Sequence, residues 1–231
     1  MTISQKAIDS IIDDLNYIKK KYSDVTIGEK PDAAFIAQYR SVLPEVLFYI
    51  WDKIGFASFE QGGYHFVNPM DYADILTQCL EGTGLAEIDD FIVVGRDAFG
   101  ELQVIGTHTK SRLTIDMEYL RIFPSIDRRV KDDSMIAIQF FGQLSGFNSD
   151  LKNDASFIEQ LAYCQREFGP LQSHDVYGLA PHPILGGGKP SIKHRFKTEV
   201  IPYLNMVSQL DEFEVMMDIV QYAKSVGAMP E

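Results

Sequence analysis

Two short runs of apolar and β-branched residues, Phe91–Gly95 and Leu102–Ile105, flank the turn-prone segment Arg96-Asp97-Ala98-Phe99-Gly100. Strand-forming runs separated by such a segment read as a β-hairpin, so the chain needs a sheet, and a sheet needs helices to cover it. A further short strand is expected at Gly63–Val67. The covering helices are legible upstream. Ser4 can cap a helix whose apolar residues Ile8, Ile11, Ile12, Leu15 and Ile18 recur at the 3.6-residue period. A second helical stretch begins near Pro31. Pro44 fits the first turn of a third, with Leu47, Ile50, Trp51 and Ile54 on one face and Gly55 as its stop. Pro69 opens a fourth through Tyr72, Ile75, Leu76 and Cys79, ending at Gly82.

The second half reads differently. Ala137, Phe140, Phe141 and Leu144 keep helical spacing, although Met135–Phe141 also passes as a buried strand. Phe157, Leu161, Cys164 and Phe168 share one helix face, closed by Gly169-Pro170. After a loop rich in Gly and Pro, two amphipathic stretches are expected, Thr198 to Leu210 and Asp211 to Val226. The expected class is α+β: a small antiparallel sheet flanked by helices in the N-terminal half, and a mostly helical C-terminal half.

Charge supports two units. Residues 1–107 carry a net −9 and residues 108–231 a net −3, with a joint expected between Thr107 and Pro124, so that the units are 1–110 and 120–231. The total of −12 argues against nucleic acid or anionic lipid as a direct partner. The start MTISQKAIDS has no apolar secretory core, and Asp52 and Lys53 interrupt the longest apolar run. A cytoplasmic protein without a membrane partner is the expectation. Cys79 and Cys164 sit in apolar helical patterns and read as reduced core residues.

Catalytic motifs do not emerge. In Leu185-Gly186-Gly187-Gly188-Lys189-Pro190-Ser191, Pro183 stands where a phosphate-binding loop needs its first glycine, and Pro190 where it needs Ser or Thr. The histidines, including His174 and His182, form no zinc spacing. Neither a nucleophile elbow nor an activated cysteine is present. No enzyme, cofactor or metal is therefore expected. Two charged clusters remain. Glu87, Asp89 and Asp90 precede the hairpin and Asp97 and Glu101 surround its turn; they are either a solvated rim or a negative face for a basic partner. Lys189, Lys193, His194, Arg195 and Lys197 form a basic loop, either solvated or able to hold an anionic metabolite. That second possibility gives the alternative function, a ligand-binding or regulatory module.

Several of these residues carry a resemblance. Leu43-Pro44, Trp51, Gly55-Phe56, Phe59, Gly62, Val67-Asn68-Pro69, Tyr72 and the run Arg96 to Leu102 resemble the GAD-like domain. Phe168-Gly169-Pro170-Leu171, Asp175, Tyr177-Gly178, Pro181 and Leu185-Gly186-Gly187 resemble the C-terminal domain of type VI secretion immunity proteins that guard against DNase toxins. Leu179, His182 and Pro183 depart from that pattern, as do Gly188 and the basic run behind it. The resemblance implies a cytosolic antidote that binds a cognate nuclease toxin and blocks it. An acidic protein suits the positive cleft of a nuclease. The partner-binding candidates are Glu87, Asp89, Asp90, Asp97, Asp175, Tyr177, His182 and Lys189. Tyr177 is read either as an aromatic anchor or as a core residue shaping its loop.

Overall fold

The computed structural model describes residues 4–21, 24–41, 43, 45–109, 111–125, 155–186 and 191–216. Pro44, the Met135–Leu144 stretch and Lys189 lie outside them. Helix α1 (Gln5–Lys21) starts where the Ser4 hydroxyl accepts the Ala7 N–H at 3.2 Å. Helix α2 (Ala33–Tyr39) is capped by Asp32, whose carboxylate accepts the Phe35 N–H at 2.8 Å. Helix α3 (Glu45–Ile54) buries Leu47, Ile50, Trp51 and Ile54, and Gly55, at φ 59°, ends it in the left-handed conformation glycine tolerates. Helix α4 (Ala73–Leu80) follows a 3-10 turn opened by Pro69. Later come α5 (Ala155–Phe168) and α6 (Val200–Val207).

Among the described residues, ten strands accompany the helices: β1 (Val25–Thr26), β2 (Ser58–Phe59), β3 (Tyr64–Phe66), β4 (Phe91–Asp97), β5 (Leu102–Gly106), β6 (Arg112–Asp116), β7 (Arg121–Ser125), β8 (Asp175–Leu179), β9 (Arg195–Glu199) and β10 (Glu214–Val215). Eight form one sheet in the order β1-β2-β3-β4-β5-β6-β7-β10. All its pairs are antiparallel except β10 with β7. Strands β8 and β9 form a separate antiparallel pair.

This corrects the expected fold class. The sheet is large and mixed rather than small and antiparallel, and the described part of the C-terminal half holds strands beside its helices. Residues 112–125, which overlap the expected joint between Thr107 and Pro124, form a hairpin that continues the sheet; Leu113 and Ile115 are buried while Arg112 and Thr114 are half-exposed, the alternation of a strand covered mainly on one face. Glu214–Val215, expected in a helix, pairs in parallel with Arg121–Ile122 beside the buried Phe213. Tertiary pairing overrides a weak local helical pattern there.

The near-continuous apolar run of β4 has its reason in the layers. Ile92 and Val94 point into a core shared with α1, α2 and α3, centred on Trp51 and Phe35, whose rings lie 5.3 Å apart and edge to face. Phe91 and Val93 face the opposite core, where Ile75 of α4 meets Leu204 of α6 and Val176 of β8. A strand covered on both faces has no polar side to show. Cys79 and Cys164 are buried and free, and burial pushes their thiols up to about 12 and about 11. Among the described residues, no helix is long and apolar enough to cross a membrane.

Candidate functional site

The turn joining β4 to β5 is where the β8–β9 pair docks. Arg96, at the end of β4, is fully buried. Its Nε donates to the Tyr72 hydroxyl at 3.0 Å and its Nη1 to the Asp97 carbonyl at 3.2 Å. Nη2 reaches the carbonyls of Ser173 at 2.9 Å and Asp175 at 2.7 Å. A buried guanidinium is costly unless its donors are met, and here oriented carbonyls meet them and clasp the segment before β8. His65 sits opposite Arg96 in the sheet; burial, then the Arg96 charge, holds its pKa well below the ordinary value, so it is neutral at pH 7. Beside it, Ala98 accepts the Tyr177 N–H at 2.9 Å. Gly100 leaves room for Leu204, since a Cβ there would lie 2.8 Å from that side chain.

A second polar group closes the same seam from β9. Arg195, 5% exposed, pairs with Glu118, donates twice to Gln160 at 3.1 and 2.8 Å, and lies 4.1 Å above the Phe99 ring. Asp97 accepts the N–H groups of Phe99 at 2.8 Å and Glu101 at 2.9 Å. Burial raises Asp97 to about 7, and burial with the nearby Asp97 charge raises Glu101 to about 8. Burial raises Asp116 and Glu118 as well. Arg195 thus pairs with Glu118 in a seam that also buries Asp97, Glu101 and Asp116. Through Gln160 and Phe99 it ties β9 to α5 and to the turn.

A groove of about 900 Å³ opens nearby, within the size range of binding clefts. Thr26 and Ser58, partners across β1 and β2, line it, as do the 68–72 turn, the 170–174 segment and the start of α6. Its lip is held by backbone: the Leu171 N–H donates to Gln61 at 3.1 Å. Gly62, at φ 86°, lets the chains touch, since a Cβ would lie 2.6 Å from the Leu171 carbonyl. Asp24, Glu29, Asp32 and Asp71 all line the groove. Its ammonium, Lys30, bonds instead to Asp52 at 3.1 Å.

The residues chosen from sequence are scattered. Glu87 and Asp90 are exposed, Asp90 lying 3.1 Å from His108. Asp89 is buried and accepts the N–H groups of His108 at 2.9 Å and Thr109 at 2.7 Å, tying down the β5–β6 turn. Those bonds hold its carboxyl below the ordinary range against the opposing effect of burial. Asp97 belongs to the seam. Asp175 is 8% exposed and pairs with Lys197 at 2.9 Å. Tyr177 is fully buried, and its hydroxyl donates to the Gly169 carbonyl at 2.6 Å, which is the core alternative. His182 is buried with Nε2 3.2 Å from the Met117 carbonyl. The basic loop divides: Lys193 and His194 are exposed, while Arg195 and Lys197 point into ion pairs. Sequence reasoning passed over Arg96 and Arg195 as structural centres. The available signal was an arginine at the end of an otherwise apolar strand. Among the described residues, no group of three His, Cys, Asp or Glu could hold a metal ion.

Residues 14–119 match the family model of the GAD-like domain. Among solved structures, the crystal structure of Atu4351 from Agrobacterium tumefaciens is similar, with a TM-score of 0.69 over 85% of this chain and 89% of that one, at 20% identity. At that identity the likeness is one of fold. No curated protein matches the sequence.

Proposed function

We propose that this chain, whose residues 14–119 form a GAD-like domain, is a non-enzymatic cytoplasmic immunity protein that binds a cognate type VI secreted nuclease and blocks it. The observation that carries the reading is the interlocking of the two signature segments. Arg96 and Ala98 of the GAD-like turn bond directly to Asp175 and Tyr177 of the second signature. The residues that resemble the two immunity-protein domains therefore build one seam, a reason for the motifs to occur together.

The net charge of −12 adds the means of approach. A nuclease holds phosphates in a positive cleft, and an acidic antidote is drawn to it by long-range attraction. Association can approach roughly 10⁸–10⁹ M⁻¹s⁻¹ at low salt. Speed has value when the toxin arrives already active.

The test is plasmid cleavage by any type VI nuclease found encoded beside this gene, with and without a molar excess of the full chain. Complete protection at near-equimolar ratio is expected. Undiminished cleavage in excess protein contradicts the reading.

A further inference from the structure

We propose that the groove beside the seam docks a basic segment of the partner protein, placing Lys or Arg side chains against Asp24, Glu29, Asp32 and Asp71 and apolar ones on Ile27 and Met70. The inference rests on the antidote reading and names where its contact lies.

Three observations support it. The first is uncompensated charge. None of the four carboxylates has a cation within 4.0 Å among the described residues, and the lysine in the groove is turned to Asp52 outside it. At the margin, burial and then the Asp24 charge raise Glu60, and burial raises Asp71. An arriving ammonium or guanidinium meets unpaired negative charge there, whereas an anion is repelled by it.

The second is apolar surface of the kind that anchors interfaces. Ile27 is 52% exposed and Met70 38% exposed, and both line the groove. A groove lined by both carboxylates and exposed apolar side chains fits a protein segment better than a small polycation, which has nothing to set on Ile27 and Met70.

The third is preorganisation. The walls are pinned by backbone bonds, Phe56 N–H to Glu29 at 2.9 Å, Gly28 N–H to Ile54 at 3.1 Å and Asp71 N–H to Asn68 at 3.2 Å. Docking into fixed walls avoids the cost of ordering a loop.

The experiment uses the full chain and two fluorescein-labelled decapeptides, one alternating Lys with Val and one alternating Glu with Val, followed by anisotropy at low and high salt. The Lys/Val peptide should bind, more weakly as salt rises, and the Glu/Val peptide should not. Asp24→Asn/Glu29→Gln/Asp71→Asn, checked for an unchanged melting transition, should weaken Lys/Val binding about tenfold at low salt. Met70→Lys, an exposed change that adds positive charge to the groove, supplies the same test should the triple variant fold poorly, with a loss of about threefold. Equal binding of both peptides, no binding of the Lys/Val peptide at millimolar concentration, or unchanged affinity in the variants overturns the proposal. Nuclease inhibition that survives loss of peptide binding removes the groove assignment and keeps the antidote reading. Peptide binding without nuclease inhibition does the reverse.

Discussion

The seam and the groove lie side by side, both rich in carboxyl groups, and they use them in opposite ways. In the seam, Asp97 and Glu118 are consumed by backbone N–H groups and by Arg195. At the groove, Asp24, Glu29 and Asp71 face solvent or stand half-buried without a cation. Net charge alone does not locate a binding face; burial and pairing separate carboxylates that hold the fold from those left for a partner.

The sharpest way to break this contrast is at Arg195. Arg195→Ala leaves Glu118 buried without its partner and should cost roughly 3–5 kcal/mol in urea unfolding. A loss under about 1 kcal/mol would mean the pair is solvated and the seam is not distinct from the rim.

Acidity gives a second, smaller lever. Asp97 and Glu101 have folded pKa values of about 7 and about 8, above their ordinary values of 3.8 and 4.5. The folded protein therefore binds more protons than the unfolded chain between about pH 4 and pH 8, and stability from these groups falls as pH rises through that window. Glu101→Gln should flatten the decline and raise stability at pH 8 by roughly 1 kcal/mol or more, measured by thermal unfolding across a pH series. A decline equally steep in the variant would place the titration elsewhere.

Tyr177→Phe removes the bond to Gly169 and should cost about 1 kcal/mol while leaving the association rate with the proposed nuclease partner unchanged. A faster dissociation with full stability would return Tyr177 to the interface. The smallest stability effect belongs to the rim. Asp71→Asn should alter unfolding by no more than about 0.5 kcal/mol, yet slow association in stopped-flow mixing at low salt. A stability loss as large as that of Arg195→Ala would dissolve the distinction between the two regions.

Much of the helical layer was legible in the sequence because its signals are local. Leu47, Ile50, Trp51 and Ile54 repeat within three turns, and Gly55 follows at once. The β4–β5 hairpin was legible for the same reason. The extent of the sheet was not, since β1 and β2 are two residues each and β10 finds β7 across about ninety positions of sequence. Site residues show the limit most clearly. Asp89 and Asp90 are neighbours with the same side chain, yet one is closed in a turn by three donors and the other stands in solvent. Only the fold of residues 107–109 separates them. Asp24, Glu29 and Asp71 were missed as a set because two segments distant in sequence, 24–32 and 68–72, bring them to one groove.

Hydrogen exchange of the full chain, alone and with the nuclease proposed as its partner, tests the division between seam and rim most directly. Added protection should fall on residues 24–32, 68–72 and 170–174, with amides of 97–101 and 195–199 unchanged because they are already closed in the free protein. Protection confined to other surfaces, with the groove exchanging as before, would contradict the account.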